Sequence, residues 1–303
     1  MLKNGTIAMV HCGREISAEE ISQIQETVSL CGGLSRKELA QTIAEHLQWY
    51  RASGTNKEDA CIKLLEKLEL QGVLQLPPKR RRSKPSVESA HLLNAPTGPQ
   101  PAIVCPLKKL GMVALEVVKD KDTGMLWQEY VARYHYLGYK KPFGYTLRYF
   151  IKSDRGRLGC ILYSGAAKCM GARERWIGWK EPQRLRNLPW VINNSRYLIF
   201  PWVRVKNLAS HVLGQISRQI RVHWQQRWGY SPVLMETFVD PQHYQGSCYQ
   251  AANWQYVGMT SGQGLLRAGK SYRTSAKKIF LKPLVKNYRD LLCSEKLVGR
   301  API

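Results

Sequence analysis

The stretch Pro77-Pro78-Lys79-Arg80-Arg81-Arg82-Ser83-Lys84-Pro85 does most to constrain how this chain can fold. Proline fixes φ and removes a backbone donor, and a run of like charges repels itself, so neither helical nor strand periodicity survives there. With the Pro-, Ser- and Gly-containing residues that follow, it reads as a semi-extended tether. For 303 residues two domains are the natural prior. The sequence therefore predicts a helical domain over 1–77, a basic Pro-rich linker over 78–106, an α/β domain over 107–261 and a basic C-terminal extension over 262–303.

Before the linker, Ser17 with Glu20, Ser35 with Glu38 and Thr55 with Glu58 each match a capping box, in which a hydroxyl and a carboxylate satisfy the free N–H groups of a first turn. Leu39, Ile43, Ala44 and Leu47 then share one helical face, as do Ala60, Leu64, Leu65 and Leu68. Gly72 ends the third helix, and Val73 to Leu76 reads as a short strand. Three helices and a strand predict a winged-helix-like domain. Its third helix sets Lys57, Lys63 and Lys67 against Glu58, Asp59, Glu66 and Glu69, a poor balance for seeking phosphate. The domain is thus either a groove reader or a protein-partner module.

Charge points to the rest of the chain. Lys and Arg number 46 against 22 Asp and Glu, a net +24. Residues 1–76 hold 8 basic and 10 acidic side chains, so the remaining 227 carry +26. A field of that size suits a phosphate polymer, because each phosphate contact releases a condensed counterion. Nucleic acid, DNA first, is the expected partner. Lys79, Arg80, Arg81 and Arg82 in the linker are candidates to hold it. So are Arg173 and Arg175, interleaved with Trp176 and Trp179, and Lys270, Arg273, Lys277, Lys278 and Lys282 in the tail.

No apolar run approaches the roughly 18 residues that span a bilayer, and no signal-peptide pattern opens the chain. The eight cysteines include no Cys-x-x-Cys pair and no zinc-finger spacing with histidine, so reduced, mostly buried thiols of a cytoplasmic protein are expected. The sequence proposes no metal ligands, and the cofactor is unknown.

After the linker, strand-like and helix-like stretches alternate, which predicts an α/β or α+β domain. Met125 to Tyr136 reads as a helix, and Gly144 to Ile151 and Leu158 to Ser164 as strands. Residues 184–188 read as a polar connector. Arg196 to Val205 reads as a strand with Pro201 at an edge or bulge, and Asn207 to Trp224 as a helix with Leu208, Val212, Ile216 and Ile220 on one face. Pro232 to Asp240, Tyr244 to Trp254 and Gln255 to Gly258 follow as strand, helix and short strand. On the strand 232–240, Glu236, Phe238 and Asp240 share parity. Two carboxylates on one face of a strand either bind a metal or divide acid and base roles, or one of them pairs with an arginine. Tyr249 and His135 are the candidate acid or base partners.

Asn193-Asn194-Ser195-Arg196-Tyr197, Pro201-Trp202-Val203-Arg204-Val205 and Asn207-Leu208-Ala209-Ser210-His211 resemble the DruA family. So do Glu236-Thr237-Phe238-Val239-Asp240-Pro241 and Cys248-Tyr249-Gln250-Ala251-Ala252-Asn253-Trp254, with Leu34-Ser35-Arg36 and Leu76-Pro77 earlier in the chain. The resemblance implies a component of Druantia anti-phage defence or a mobile-element-associated protein. A weaker likeness is to the GNAT acyltransferase fold, from the order of elements over 196–258. GNAT enzymes cradle CoA pyrophosphate with a glycine-bearing loop at a helix start. Here that place reads Lys206 to His211, with no glycine before Gly214. The expected function is a nucleic-acid-binding component of a defence or mobile-element system. The alternative is an enzyme acting on DNA, either a GNAT-like transferase or a metal-dependent nuclease or transposase-like protein.

Overall fold

The computed structural model describes residues 7–50, 56–78, 97–140, 142, 144–262 and 275–295. The chain divides into two compact units, one lying chiefly within residues 1–84 and the other comprising 85–141 and 146–301.

In the first unit a hairpin of β1 (Ile7–His11) and β2 (Arg14–Ser17) precedes α1 (Ala18–Leu30), α2 (Arg36–His46) and α3 (Glu58–Leu70). Ser17 and Ser35 form their capping boxes with Glu20 and Glu38. Thr55 lies outside the described residues. The third helix starts at Glu58 without a side-chain cap, and Glu58 instead pairs with Lys37 at 3.3 Å. Ile16, Ile24, Leu39, Ile43, Leu64 and Leu68 are buried and join the helices.

The strand expected over Val73–Leu76 does not form. Its backbone is satisfied by side chains instead: Gln25 Nε2 donates to the Val73 carbonyl at 2.8 Å, and Leu76 N–H donates to Glu69 Oε1 at 3.0 Å. Arg36 closes the arrangement, donating from NH1 to Glu69 at 2.9 Å and from Nε to the Pro77 carbonyl at 2.7 Å. The Leu34-Ser35-Arg36 and Leu76-Pro77 motifs therefore meet in space. The two-stranded sheet of this unit lies before the first helix, not after the third.

The second unit is a mixed α/β layer structure. Its elements are β3 (Ile103–Val104), β4 (Ala114–Val117), α4 (Lys121–Tyr134), β5 (Thr146–Ser153), β6 (Gly156–Gly165), α5 (Gly171–Ile177), α6 (Glu181–Asn187), β7 (Val191–Ile199), β8 (Val203–Arg204), α7 (Leu208–Trp228), β9 (Leu234–Val239), α8 (Ser247–Ala251), β10 (Gln255–Met259), β11 (Lys278–Pro283) and α9 (Tyr288–Leu292). One sheet runs β10-β11-β9-β7-β6-β5-β4, antiparallel except where β7 meets β9. The long helix α7 makes that parallel crossover and buries Leu208, Val212, Ile216, Ile220 and Trp224.

Three expectations change here. Ile103 and Val104, read as linker, pair with β8, and Thr97 is buried and accepts Arg133 NH1 at its hydroxyl and the Tyr134 hydroxyl at its carbonyl. Residues 184–188, read as connector, lie largely in α6. Part of the basic tail is a strand: β11 is inserted between β9 and β10, with Ile279, Phe280 and Leu281 buried. All eight cysteines are free thiols, but only Cys31, Cys61 and Cys160 are buried, fewer than the sequence suggested. No helix of the described residues is long and apolar enough to cross a membrane.

Candidate functional site

The parallel pairing of β7 with β9 covers three residue pairs, ending at Asn193 with Glu236. The next stretch of β7 carries a bulge against β6: Asn194 pairs with Tyr163 and Arg196 with Leu162, which leaves Ser195 as an extra residue. Bulges bend the strand that bears them. Side chains then replace the ladder. Thr237 Oγ1 donates to the Asn194 carbonyl at 3.0 Å, and the Tyr249 hydroxyl donates to Asn194 Oδ1 at 2.7 Å. Beyond this plug the strands part around a cavity of about 330 Å³. Tyr197 of β7, Phe238 and Asp240 at the end of β9, Ala209 in the first turn of α7, Cys248 of α8, and His135 with Tyr136 after α4 line it. Four of the stretches that resemble the DruA family, 193–197, 207–211, 236–241 and 248–254, thus converge on one hollow.

Its interior is polar but nearly uncharged. Burial, aided by the neighbouring Arg196, pushes the His135 imidazole down to about 4, so it is neutral at pH 7. His135 Nδ1 accepts the Leu137 N–H at 3.2 Å, which leaves the proton on Nε2. Burial pushes Tyr197, Tyr249 and Cys248 up, and all three stay protonated. The Tyr197 hydroxyl donates to the Ala209 carbonyl at 2.8 Å. Asp240 alone is anionic, held below the usual carboxylate range by hydrogen bonds from the Ser275 hydroxyl at 2.7 Å and the Gln242 N–H at 3.1 Å.

Of the expected catalytic set, Asp240, Tyr249 and His135 reach this cavity and Glu236 does not. The β9–β11 register pairs Thr237 with Phe280 and Glu236 with Leu281, and the Tyr249 ring stacks on Phe280 at 5.8 Å. Tyr249 therefore lies on the Thr237 face, and Glu236 on the other. There Glu236 is fully buried against Arg173, 2.8 Å away and equally buried, and also accepts the Ala167 N–H at 2.8 Å. This is the arginine pairing left open by the sequence, and it corrects the reading of Arg173 as a phosphate contact. Arg173 NH2 also reaches Glu174 at 2.7 Å, so the guanidinium belongs to the core.

The neighbouring aromatic residues are engaged too. Trp179 is buried and donates to Glu174, and Trp176 stacks on Tyr288 at 4.9 Å. Arg175 remains exposed. Lys278 Nζ donates to Gln245 Oε1 at 2.8 Å, so it stands at the cavity rim beside Lys277. Lys282 is half-buried and donates to the Asn253 carbonyl at 3.1 Å. Lys79, Arg80, Arg81, Arg82, Lys270 and Arg273 lie outside the described residues.

Sequence reasoning missed Asn194 and Thr237, which make the plug. The signal was present: two successive asparagines in a strand are unfavourable unless pairing is about to lapse.

No curated protein matches the chain in sequence. Among solved structures it is similar to a chimera of spermidine N-acetyltransferase SpeG from Vibrio cholerae and hSSAT, with TM-score 0.38, 8% identity, and 58% of this chain and 97% of that one covered. It is also similar to a GNAT-family acetyltransferase of Bacillus cereus, with TM-score 0.32, 12% identity and coverage of 58% and 100%. A third is a Bacillus subtilis acetyltransferase in complex with CoA, with TM-score 0.31, 10% identity and coverage of 57% and 100%. The family model described as Druantia protein DruA matches residues 67–272, which include every wall of the cavity. The chain belongs to the DruA family.

Proposed function

We propose that this protein is the nucleic-acid-binding component of a Druantia anti-phage defence system, and that its larger unit grips DNA. Membership of the DruA family supports the defence role. The observation that carries the binding role is the charge: +26 over residues 77–303 against −2 before them. Exposed Arg204, Lys206 and Arg218 around α7 and half-exposed Lys277 and Lys278 on β11 contribute to it. The helical stretch before residue 77, without a positive excess, then serves as a site for protein partners. Action on intracellular DNA requires a cytoplasmic location.

A second reading is a transferase acting on nucleic acid, favoured by the cavity and its neutral His135. A metal nuclease is less well served, because Glu236 is engaged by Arg173, and Asp240 by Ser275 and Gln242.

The test is binding of a fluorescent duplex across a salt series. Affinity should fall linearly on logarithmic axes, and Lys277→Gln with Lys278→Gln should lower the slope by roughly one unit for each phosphate no longer neutralised. An affinity flat between low and physiological salt rejects the reading.

A further inference from the structure

The rim of the cavity differs from its interior. Tyr136 is 41% exposed and Tyr244 58% exposed. Tyr136 stacks on His135 at 5.0 Å and leans on His243 at 4.7 Å and Tyr244 at 5.6 Å, which makes an aromatic platform at the mouth. Cations flank this platform. Arg196 donates to the Gly138 carbonyl on the His135 side, and Lys278 donates to Gln245 on the α8 side. Inside, Ser195 Oγ is buried without a hydrogen-bond partner among the described residues. The interior offers neutral donors and acceptors and one carboxylate.

We propose that this cavity receives a single unpaired nucleobase of a bound DNA strand. This rests on the DNA-binding reading above and adds a site to it. A phosphate-rich ligand would place its charge against Asp240, whereas an unpaired base brings only neutral edges inward and leaves its phosphates at Arg196, Lys277 and Lys278. The volume, about 330 Å³, is near the lower end of ligand pockets, about 300–1,000 Å³. It takes one nucleoside-sized group and excludes a base pair. Tyr136 and Tyr244 supply the stacking surface, which tolerates any base because every base has a π-face. Ser195 Oγ and His135 Nε2–H supply hydrogen bonds to its edge.

The experiment compares three duplexes of one sequence, at one salt concentration: fully paired, with one central bulged nucleotide, and with an abasic residue in place of that nucleotide. The bulged base should bind at least about tenfold tighter than the abasic duplex, the scale of one base stacked on an aromatic side chain. Tyr136→Ala with Tyr244→Ala should erase that preference and leave the salt slope of the paired duplex unchanged, while Tyr136→Phe keeps the preference. Ala209→Phe, which fills the cavity from α7 without touching a cation, should erase it as well. Equal affinity for bulged and abasic duplexes, with binding still salt-dependent, overturns the base site and leaves the DNA reading standing. No shift of any duplex at low salt overturns both.

Discussion

Replacing Glu236 by Gln separates a structural carboxylate from a catalytic one. Glu236 and Arg173 are both fully buried and 2.8 Å apart. Burial pushes the Glu236 carboxyl up, and Arg173 and the Ala167 N–H pull it back toward the ionised form. Gln keeps the shape, removes the charge, and turns one acceptor into a donor facing a guanidinium or an N–H. Breaking a buried pair from one side costs about 3–5 kcal/mol. Arg173 retains Glu174 at 2.7 Å and the Ala167 carbonyl at 2.7 Å, which places the cost at the lower end, about 3 kcal/mol. For a unit of this size that lowers the melting temperature by about 6–12 °C. Thermal melts and salt-controlled binding curves on the same variant read the outcome. Substitution of both partners by Met should restore much of the loss, because a buried pair replaced by apolar side chains is often neutral. An unchanged melt together with lost phage protection would refute the structural assignment and make Glu236 a chemical residue.

Three further outcomes follow from local geometry. His135 is held near 4 when folded, below its ordinary 6.5, so the unfolded chain takes up a proton that the folded one refuses; stability should be full above about pH 6.5, fall as pH drops toward 4 and level off below, and His135→Gln should flatten that part of a melting-temperature profile. Gly246 has φ +80°, and a Cβ there would lie 2.6 Å from the Phe280 ring, so Gly246→Ala should cost at least about 1–2 kcal/mol from backbone strain alone, measured by denaturant unfolding. Ser17→Ala removes one half of an intact capping box and should cost about 1 kcal/mol in the first unit, whereas Ser22→Ala on the exposed side of α1 should cost little in the same unfolding assay.

The parts of this fold legible in the sequence are those whose signals are local. Ser17 and Ser35 cap where their Glu partners stand three residues on, because a capping box is closed within four residues. The apolar stripe of α7 is buried as its period requires. What the sequence hid depends on non-local pairing. Ile279, Phe280 and Leu281 sit among lysines, and a strand buried on both faces shows no alternation, so the charge count concealed a central strand. Ile103 and Val104 gain a strand only because β8 passes beside them. The parity of Glu236 and Asp240 was legible, but the side on which Tyr249 folds back was not. That side is fixed by Phe280, 31 residues beyond Tyr249 in the chain.

The two faces of β9 also explain how a chain of +24 can keep a cavity with a single charged side chain, Asp240, in its lining. Glu236 and Thr237 are adjacent, so they project to opposite faces. On one face Glu236 neutralises Arg173, binds the Ala167 N–H, and so fastens the loop after β6 to the middle of the sheet. That cation is thereby removed from the surface and from the hollow alike. On the other face Thr237 and Tyr249 close on Asn194 with hydroxyls, which add no charge. A carboxylate at 237 would face Tyr249 and the Asn194 carbonyl with no arginine to meet it. The same residue type at 236 is stable only because Arg173 is there. The arrangement leaves the cations of the second unit to act from the rim, so a ligand that carries its charge on a backbone and its recognition on a neutral ring fits both regions at once.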